Sequence, residues 1–341
     1  MKRAARSMII AMTAVAMLLA GCAENRGLPM TTLAPKSDLA DWIYRLFIEV
    51  TLWDSLVFAV VIVTFLLAIF VFSTRVGEAA PPSSATSDLK LEIAWTLGPA
   101  LILLFISIPT IRTIFRSQPN VPPKGSLEIR VIAHQWWWEF RYHDQSNVVT
   151  ANELHIPVGV PIRLNLQSGD VIHSFWVPQL GGKRDVVPGQ LNELTFEANQ
   201  TGMWPGQCAE FCGESHANMR FRVFVETPEQ FAAWEKAQAA APIAAASITD
   251  PAALEGAKIF SNSPCTTCHM IDGVSKGYVG PNLTHFGSRT TMAAGIEANT
   301  PADVAQWITN PDHVKPGAQM PALGLSGTQL NDLVAYLESL K

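Results

Sequence analysis

Charged residues are scarce in this chain, since Asp, Glu, Lys and Arg make up only 16% of its 341 residues. The mean hydropathy is positive, which is too apolar for an ordinary soluble protein and indicates membrane segments. An excess of basic residues is also absent, because the formal net charge is −5. A basic patch is the electrostatic footprint of nucleic-acid binding, so the composition gives no indication of that function.

Cysteine is sparse too, with only five residues in the chain. They fall into three groups, namely Cys22, the pair Cys208 and Cys212, and the pair Cys265 and Cys268. The neighbours of each group differ, which predicts a different role for each one. The length of the chain suggests two domains in addition to any membrane segment.

The N-terminus has the layout of an export signal. Three basic residues among the first six precede an apolar run from Met8 to Leu19, and residues 19–22 read Leu-Ala-Gly-Cys. This order is typical of a secretory signal. It resembles the bacterial lipoprotein signal, in which the Cys, here Cys22, is lipidated and becomes the new N-terminus. An ordinary signal with an incidental Cys is the alternative, and in either case residues 1–21 are a signal peptide outside the fold.

Two apolar segments are long enough to cross a bilayer, which requires about 20 mostly apolar residues. The first runs from Leu52 to Phe72, and the second runs from Ile93 to Phe115 with two internal prolines, which membrane helices tolerate. A polar loop separates them, so residues 40–120 are predicted to form a transmembrane helical hairpin. A pair of buried core helices is the alternative, which the lengths disfavour.

The export signal also sets the orientation of the hairpin. The distribution of Lys and Arg weakly favours placing the loop between the helices outside. The signal, however, places residue 22 outside, and two crossings return the chain to the same side. We therefore predict a multi-pass protein of the bacterial inner membrane, with its soluble domains on the periplasmic or extracytoplasmic side.

In residues 121–228 the long apolar runs are replaced by short segments in which apolar and polar residues alternate. Leu127, Ile129 and Val131 recur with period two, and residues 153–156 and 162–166 continue the pattern between Gly and Pro residues. Short strands at this spacing predict an antiparallel β-sandwich.

A cluster of soft metal ligands lies in the second half of this region. Residues 208–219 read Cys-Ala-Glu-Phe-Cys-Gly-Glu-Ser-His-Ala-Asn-Met. Thiolate and thioether ligands select copper over harder metals. With three residues between Cys208 and Cys212, both sulfurs can bridge two metal ions. The outer ligand positions are then left for His216 and for a distant His, for which His173 is the candidate. A disulfide between the two cysteines is the alternative, although it would require neither His nor Met nearby.

The Cys-x-Glu-x-Cys-x-x-x-His-x-x-Met string resembles the CuA centre of cytochrome c oxidase subunit II, and the likeness covers residues 40–228. The resemblance implies a cupredoxin-like domain with a binuclear copper site. In it, Cys208 and Cys212 bridge the copper ions, His173 and His216 each cap one, Met219 is a weak ligand, and Glu210 binds through its main-chain carbonyl. The Glu210 side chain would also face a Mg²⁺ ion shared with the catalytic subunit.

Two further residues acquire a role from the same resemblance. Residues 136–138 are three successive Trp, which cannot all face one core because side chains alternate across a strand. In the family, the first aromatic residue after His-Gln, here Trp136, is where electrons enter, and a subunit-interface Trp is the alternative. Residues 91–96 look like the start of the second transmembrane helix, which would place Glu92 at the entrance of a proton path. A Glu in a first helical turn is also favourable on electrostatic grounds alone.

Residues 229–248 are rich in Ala and Pro after a short helical stretch that starts at Pro228. This composition is typical of a semi-extended linker without a core of its own. The linker would connect the copper domain to a second soluble domain, residues 249–341.

A haem-attachment sequence lies in that second domain. Residues 265–269 read Cys-Thr-Thr-Cys-His, in which the sulfurs of Cys265 and Cys268 form thioethers with haem c and His269 is placed to bind iron. A zinc site is the alternative for an isolated match. Met320, in a loop braced by prolines, supplies a sixth ligand and favours haem.

The same domain resembles a small all-α class I cytochrome c. Residues 280–283 look like the family loop in which a Pro carbonyl, here that of Pro281, orients the proximal His. Residues 326–340 predict a capped amphipathic helix, as expected for the last helix of that fold. His285 and His313 are alternative iron ligands, which the family pattern disfavours.

Together the parts resemble subunit II of a bacterial caa-type oxidase, in which a cytochrome c domain is fused to the copper domain. The resemblance implies that a soluble cytochrome c or an upstream respiratory complex reduces haem c. Electrons would then pass through copper to a separate catalytic subunit that reduces oxygen to water with proton translocation. Fusion makes the haem-to-copper step intramolecular.

Three other functions compete with this interpretation. The electron-input subunit of a CuA-containing nitric oxide reductase could use the same copper module, although the two helices and Glu92 favour the oxygen enzyme. In a copper-insertion or thiol-redox module the His ligand lies far downstream of the two cysteines, whereas His216 lies only four residues after Cys212. A quinol-oxidase subunit II would lack the copper ligands that this sequence contains.

Overall fold

The computed structural model describes residues 28–71, 88–118, 121–142, 148–242 and 247–341. The predicted signal peptide with Cys22, and most of the loop between the apolar segments, lie outside the described residues. The described residues divide into two compact units, one within residues 41–119 and one that combines the described residues up to 40 with those from 121 onward. The first unit corresponds to the predicted membrane hairpin, and the second contains both predicted soluble domains.

Two long apolar helices make up the membrane unit. Helix α1 spans Asp38–Val71 and helix α2 spans Leu89–Ser117, and both are long and apolar enough to cross a membrane. Their large apolar side chains are mostly exposed, as expected for helices surrounded by lipid. Pro99 and Pro109 lie inside α2. Both helices begin earlier than the predicted apolar segments because polar turns precede those segments, and Asp88 caps the first turn of α2.

The described part of residues 121–228 forms two five-stranded sheets, in the orders β3-β2-β1-β5-β8 and β4-β10-β9-β6-β7. The strands are β1 (Leu127–His134), β2 (Trp137–Tyr142), β3 (Val149–Ala151), β4 (Glu153–Pro157), β5 (Pro161–Ser168), β6 (His173–Trp176), β7 (Arg184–Val186), β8 (Asn192–Glu197), β9 (Gly202–Cys208) and β10 (Arg220–Glu226). β1 pairs with β5, and β4 with β10, in parallel, so the sheets are mixed. The sequence pattern predicted antiparallel pairing throughout, but alternation identifies only the buried face of a strand and not the direction of its neighbour.

The two sheets pack through an aromatic core. Trp138 of β2 contacts Phe175 and Phe221 of the other sheet, with ring centroids 5.5 and 5.3 Å away. The ring of His173 lies 6.1 Å from that of Trp138. One predicted metal ligand is therefore anchored on a rigid, fully buried base, because Trp138, Phe175 and Phe221 are at most 1% exposed.

Part of the predicted linker is a helix that packs on the β domain, residues 121–228. Helix α3 spans Pro228–Gln238. Thr227 caps its N-terminus and forms a reciprocal capping box with Gln230. Trp234 of α3 stacks on His155 of β4, with ring centroids 4.2 Å apart. Ala favours helix, and the aromatic residues give this helix a surface to bury. The predicted linker, residues 229–248, therefore starts too early.

The haem domain, residues 249–341, is mainly helical. Its helices are α4 (Pro251–Ser261), α5 (Cys265–Cys268), α6 (Pro301–Thr309), α7 (Pro311–Val314) and α8 (Gly327–Ser339), and its two short ladders are β11 (Met270–Ile271) with β12 (Ser275–Lys276) and β13 (Thr291–Met292) with β14 (Glu297–Ala298). Helices α4 and α8 meet at Gly256, where an added Cβ would lie 2.0 Å from the carbonyl oxygen of Asp332. Ser326 caps the N-terminus of helix α8 with a capping box, as predicted for the final helix.

Candidate metal centre and haem site

Strand pairing brings the predicted copper ligands together. His173 begins β6, Cys208 ends β9, and Met219 directly precedes β10. β6 and β9 are antiparallel neighbours, and the Cys208 N–H donates a hydrogen bond of 2.9 Å to the Met219 carbonyl. The loop that contains Cys212 and His216 is therefore closed at its base, which brings residues far apart in sequence to one place.

The sulfur and nitrogen atoms of this cluster face one another. The Cys208 Sγ lies 3.8 Å from the Cys212 Sγ and 3.8 Å from the His173 Nδ1. The Cys212 Sγ lies 3.5 Å from the His216 Nδ1 and 3.8 Å from the Met219 Sδ. Both thiols are buried and unbridged, so the alternative of a disulfide does not describe this geometry. Two thiols, two imidazoles and a thioether form a donor set that suits copper.

Asp170 orients the first histidine. Its Oδ1 lies 2.7 Å from the His173 Nε2, so the Nδ1 of the ring is turned toward Cys208. Its Oδ2 accepts a hydrogen bond of 2.6 Å from the Gln135 N–H. Burial alone would raise the pKa of the Asp170 carboxyl, but these hydrogen bonds outweigh burial and lower it. Burial lowers the pKa of His173, whereas its bonds with Asp170 and Cys208 raise that pKa overall.

The contact between the two thiols changes their pKa values in opposite directions. The hydrogen bond from Cys212 lowers the pKa of Cys208 despite its burial, and the same contact with burial raises the pKa of Cys212. The main-chain oxygen of Glu210 lies 3.2 Å from the Cys208 Sγ, while its side chain is exposed. The Glu210 carbonyl thus lies beside the predicted metal ligands.

The haem-attachment residues line a cavity of about 330 Å³, namely Cys265, Cys268, His269 and Met320 together with apolar side chains. The Nδ1 of His269 donates to the Pro281 carbonyl oxygen at 2.8 Å, which leaves Nε2 for a metal ion. Burial lowers the pKa of His269 and so favours the neutral ring that binds iron. Two thiols, one imidazole nitrogen and one thioether around a single cavity fit a covalently attached haem.

Two observations support His269 over the alternative histidines. Among the described residues that line the cavity, neither His285 nor His313 is present. An added Cβ on Gly280 would lie only 2.6 Å from the Cε1 of His269, so this glycine leaves room for the ring where it stands.

Trp136 contacts both sites. Its side chain is half-buried and lines the haem cavity, and its Nε1–H donates a hydrogen bond of 3.0 Å to the Cys212 carbonyl. The Gln135 side chain donates to the same carbonyl at 2.7 Å. From the haem domain, the buried Lys315 ammonium donates to the Trp136 carbonyl. Burial lowers the pKa of Lys315 to about 7, and the nearby Cys212 opposes this shift.

Sequence reasoning missed three of these residues, namely Gln135, Asp170 and Lys315. Gln135 directly precedes Trp136, Asp170 lies three residues before His173, and Lys315 begins the Lys-Pro-Gly sequence before Met320. These positions were the signals available in the sequence. Glu92 belongs to the membrane unit, where it lies in the first turn of α2 and is partly exposed.

Comparisons with known proteins cover the chain almost completely. Family models match residues 37–113 as "Cytochrome C oxidase subunit II, transmembrane domain", residues 148–226 as "Cytochrome C oxidase subunit II, periplasmic domain", and residues 253–341 as "Cytochrome c". The cytochrome c oxidase subunit 2 of Alkalihalophilus pseudofirmus is 33% identical over 340 residues, which cover 98% of this chain and 97% of the relative. This chain belongs to the cytochrome c oxidase subunit II family.

One further relative agrees with this assignment, and one solved structure is similar to part of this chain. The cytochrome c oxidase subunit 2 of Bacillus sp. strain PS3 is 36% identical over 348 residues, which cover 96% of this chain and 95% of the relative. The crystal structure of the periplasmic domain of subunit II of cytochrome oxidase from Bradyrhizobium japonicum is 35% identical and covers 35% of this chain and 96% of that one, with a TM-score of 0.33.

This subunit II therefore carries a transmembrane domain of two helices, a periplasmic domain with a CuA-type site, and a fused cytochrome c domain that implies haem c. It transfers electrons within an oxidoreductase, the haem-copper oxidase complex. The predicted family, domain types and function are confirmed. The roles of individual residues stay predictions.

Proposed function

We propose that this subunit passes electrons from haem c to a binuclear CuA centre, and then to a catalytic subunit that reduces oxygen to water with proton translocation. The observation that carries this proposal is the position of Trp136. Its side chain lines the haem cavity and donates a hydrogen bond to the carbonyl of Cys212, so one residue contacts both sites. Electrons would therefore pass through its ring.

Six residues would hold the copper pair, namely the thiols of Cys208 and Cys212, the imidazoles of His173 and His216, the Met219 thioether and the Glu210 carbonyl. The distances of 3.5–3.8 Å among the thiols, the imidazoles and the thioether support this assignment. Asp170 would keep the His173 Nδ1 turned toward the metal. When bound, copper and haem supply the one-electron redox chemistry.

In the haem domain, Cys265 and Cys268 would form the thioether bonds. The His269 Nε2 and the Met320 sulfur would be the iron ligands, a pair that raises the haem potential. Pro281 would fix the His269 ring through the hydrogen bond to Nδ1.

Three assignments rest mainly on family likeness. The exposed Glu210 side chain suits a Mg²⁺ ion shared with the catalytic subunit, because Mg²⁺ prefers carboxylate ligands. Glu92 would lie at the entrance of a proton path, and Cys22 would carry a lipid. The protein would be a multi-pass protein of the bacterial inner membrane, and a soluble cytochrome c or an upstream respiratory complex would donate electrons on the periplasmic side.

The substitution Trp136→Phe tests the proposed path in the purified, metal-loaded oxidase. Phe lacks the indole N–H, so the hydrogen bond to the Cys212 carbonyl is lost and the smaller ring leaves a gap in the wall of the cavity. After flash reduction of haem c, we expect copper reduction to slow by about tenfold or more, which corresponds to roughly 1.4 kcal/mol of activation free energy.

A matched control is Trp234→Phe, which alters a Trp of α3 that stacks on His155 and does not line the haem cavity. Its transfer rate should equal that of the unmodified protein. Equal rates in the two variants would remove the role of Trp136. Oxygen and nitric oxide consumption by the same preparation distinguishes the oxidase from a nitric oxide reductase.

A further inference from the structure

The haem domain contacts the β domain through a buried carboxylate. Glu153 begins β4 and is only 4% exposed. Its Oε1 accepts four hydrogen bonds of 2.6–3.0 Å, from the main-chain N–H and the side-chain hydroxyl of both Thr290 and Thr291. Both threonines belong to the haem domain, at the start of β13. All four bonds therefore cross from one domain to the other.

A second group of contacts continues this interface. The N–H of Arg220, in β10, donates to the Ala294 carbonyl at 3.1 Å. Ala294 also forms a buried apolar cluster with Trp137 and Ala151 of the β domain. Glu153 thus lies beside a dry contact, and water has little access to replace its partners.

A third contact lies beside the proposed electron path. Lys315 of the haem domain is 5% exposed, and its ammonium donates to the Trp136 carbonyl. Asn152, the neighbour of Glu153, and Trp136 both line the haem cavity. The contacts at Glu153 and Lys315 therefore make the β domain one wall of that cavity.

The hydrogen bonds of the Glu153 carboxylate fix the orientation of the haem domain as well as its position. A buried carboxylate is tolerated only where hydrogen bonds or opposite charges replace water. Hydrogen bonds to an ionised acceptor are roughly twice as strong as neutral ones. Four donors from two consecutive residues converge on one oxygen, which defines both the position and the orientation of that segment. A flexible linker alone would supply proximity without orientation.

We propose that Glu153 is the positioning residue of a fixed docking interface, which holds the haem domain in the orientation that delivers electrons to Trp136. This inference rests on the proposed function, and Glu153 itself contacts neither metal site. The haem domain occupies the side of Trp136 that faces the cavity. A soluble donor would therefore reduce the haem domain and would not reach Trp136 directly from that side.

The substitution Glu153→Gln in the full, metal-loaded oxidase tests this interface. It removes the charge while keeping the size and one acceptor oxygen. Hydrogen bonds to charged groups shift equilibria by roughly tenfold to a hundredfold. We expect amide hydrogen exchange at Thr290 and Thr291 to rise by about that factor. Copper reduction after flash reduction of haem c should split into a fast phase of reduced amplitude and a slow, viscosity-dependent phase.

The control is Glu193→Gln, which removes the same charge from an ion pair with Arg163 inside the β domain. That variant should keep one fast phase and unchanged exchange. A single fast phase with unchanged exchange in Glu153→Gln would overturn the proposal. If Glu153→Gln loses its haem or copper spectrum, the double variant Thr290→Val with Thr291→Val is measured in its place. The same two measurements, amide hydrogen exchange and the phases of copper reduction, then decide whether the interface positions the haem domain. Absence of haem-to-copper transfer in the unmodified protein would instead overturn the proposed function, and the docking role with it.

Discussion

Gly280 offers the sharpest test of the haem site, because the geometry sets the size of the effect. An added Cβ at this position would lie 2.6 Å from the Cε1, 2.9 Å from the Nδ1 and 3.1 Å from the Nε2 of His269. Ordinary van der Waals contacts of this kind lie near 3.5–4.0 Å. In Gly280→Ala the ring must therefore move by about 1 Å, away from the position set by the Pro281 carbonyl.

The expected cost has two parts. Overpacking of a well-packed site costs about 1–3 kcal/mol, and the weakened hydrogen bond between His269 and Pro281 costs about 0.5–1.5 kcal/mol. The free energy of unfolding of the haem domain should fall accordingly in guanidinium titrations that follow the haem absorption band. The displaced ring should also weaken the iron–imidazole bond, which changes the visible spectrum and shifts the haem midpoint potential.

A matched control is available in the same domain. Gly327 begins α8, and an added Cβ there meets nothing within 4 Å. Gly327→Ala should be neutral or stabilising by about 0.5–1 kcal/mol, because Ala loses less conformational entropy in a helix than Gly. If Gly280→Ala had the same stability, spectrum and potential as Gly327→Ala, close approach of Gly280 to the ring would not constrain the site.

Two other substitutions test the metal centre and the haem-domain core. Asp170→Asn should lower copper affinity by about 10–100-fold in metal competition assays. The reason is that the amide cannot accept hydrogen bonds from both His173 and Gln135. An affinity within about twofold of the unmodified protein would contradict this role. Gly256→Ala should destabilise the haem domain by about 1–3 kcal/mol or more in the same guanidinium titration, since its Cβ would lie 2.0 Å from the Asp332 carbonyl oxygen. An unfolding midpoint equal to that of Gly327→Ala would show that α4 and α8 can separate without cost.

The two clusters of candidate ligands could be recognised in the sequence because their chemistry is local. Two thiols, an imidazole and a thioether within residues 208–219, and the five-residue string at residues 265–269, have few uses other than metal or haem binding. His173 is different, since 34 residues separate it from Cys208. It was a candidate because of its neighbours and the family resemblance, and the pairing of β6 with β9 explains how it reaches the cluster.

The rest of the site depends on contacts that leave no local pattern. The partners of Glu153 are 137 and 138 residues away, and Lys315 meets a carbonyl 179 residues earlier. A short alternating strand shows which side chains are buried but not what they face, so Glu153 looked like any polar strand residue. The start of helix α3 was predicted at Pro228, but its full length to Gln238 was not, because the partner that buries Trp234 lies in β4.

These contacts together bear on how one chain can move electrons between two metal sites. The Cys212 carbonyl accepts hydrogen bonds from both Gln135 and Trp136, and the Gln135 N–H donates to Asp170, which in turn holds His173. The proposed copper ligands Cys212 and His173 are therefore both linked to Gln135, the first directly and the second through Asp170. Gln135 and Trp136 both line the haem cavity. Fusion raises the effective concentration of the haem domain, but electron transfer also requires a fixed relative position. The hydrogen bonds at Glu153 and Lys315 supply that position, because each joins a haem-domain residue to the segment next to Trp136 or Asn152.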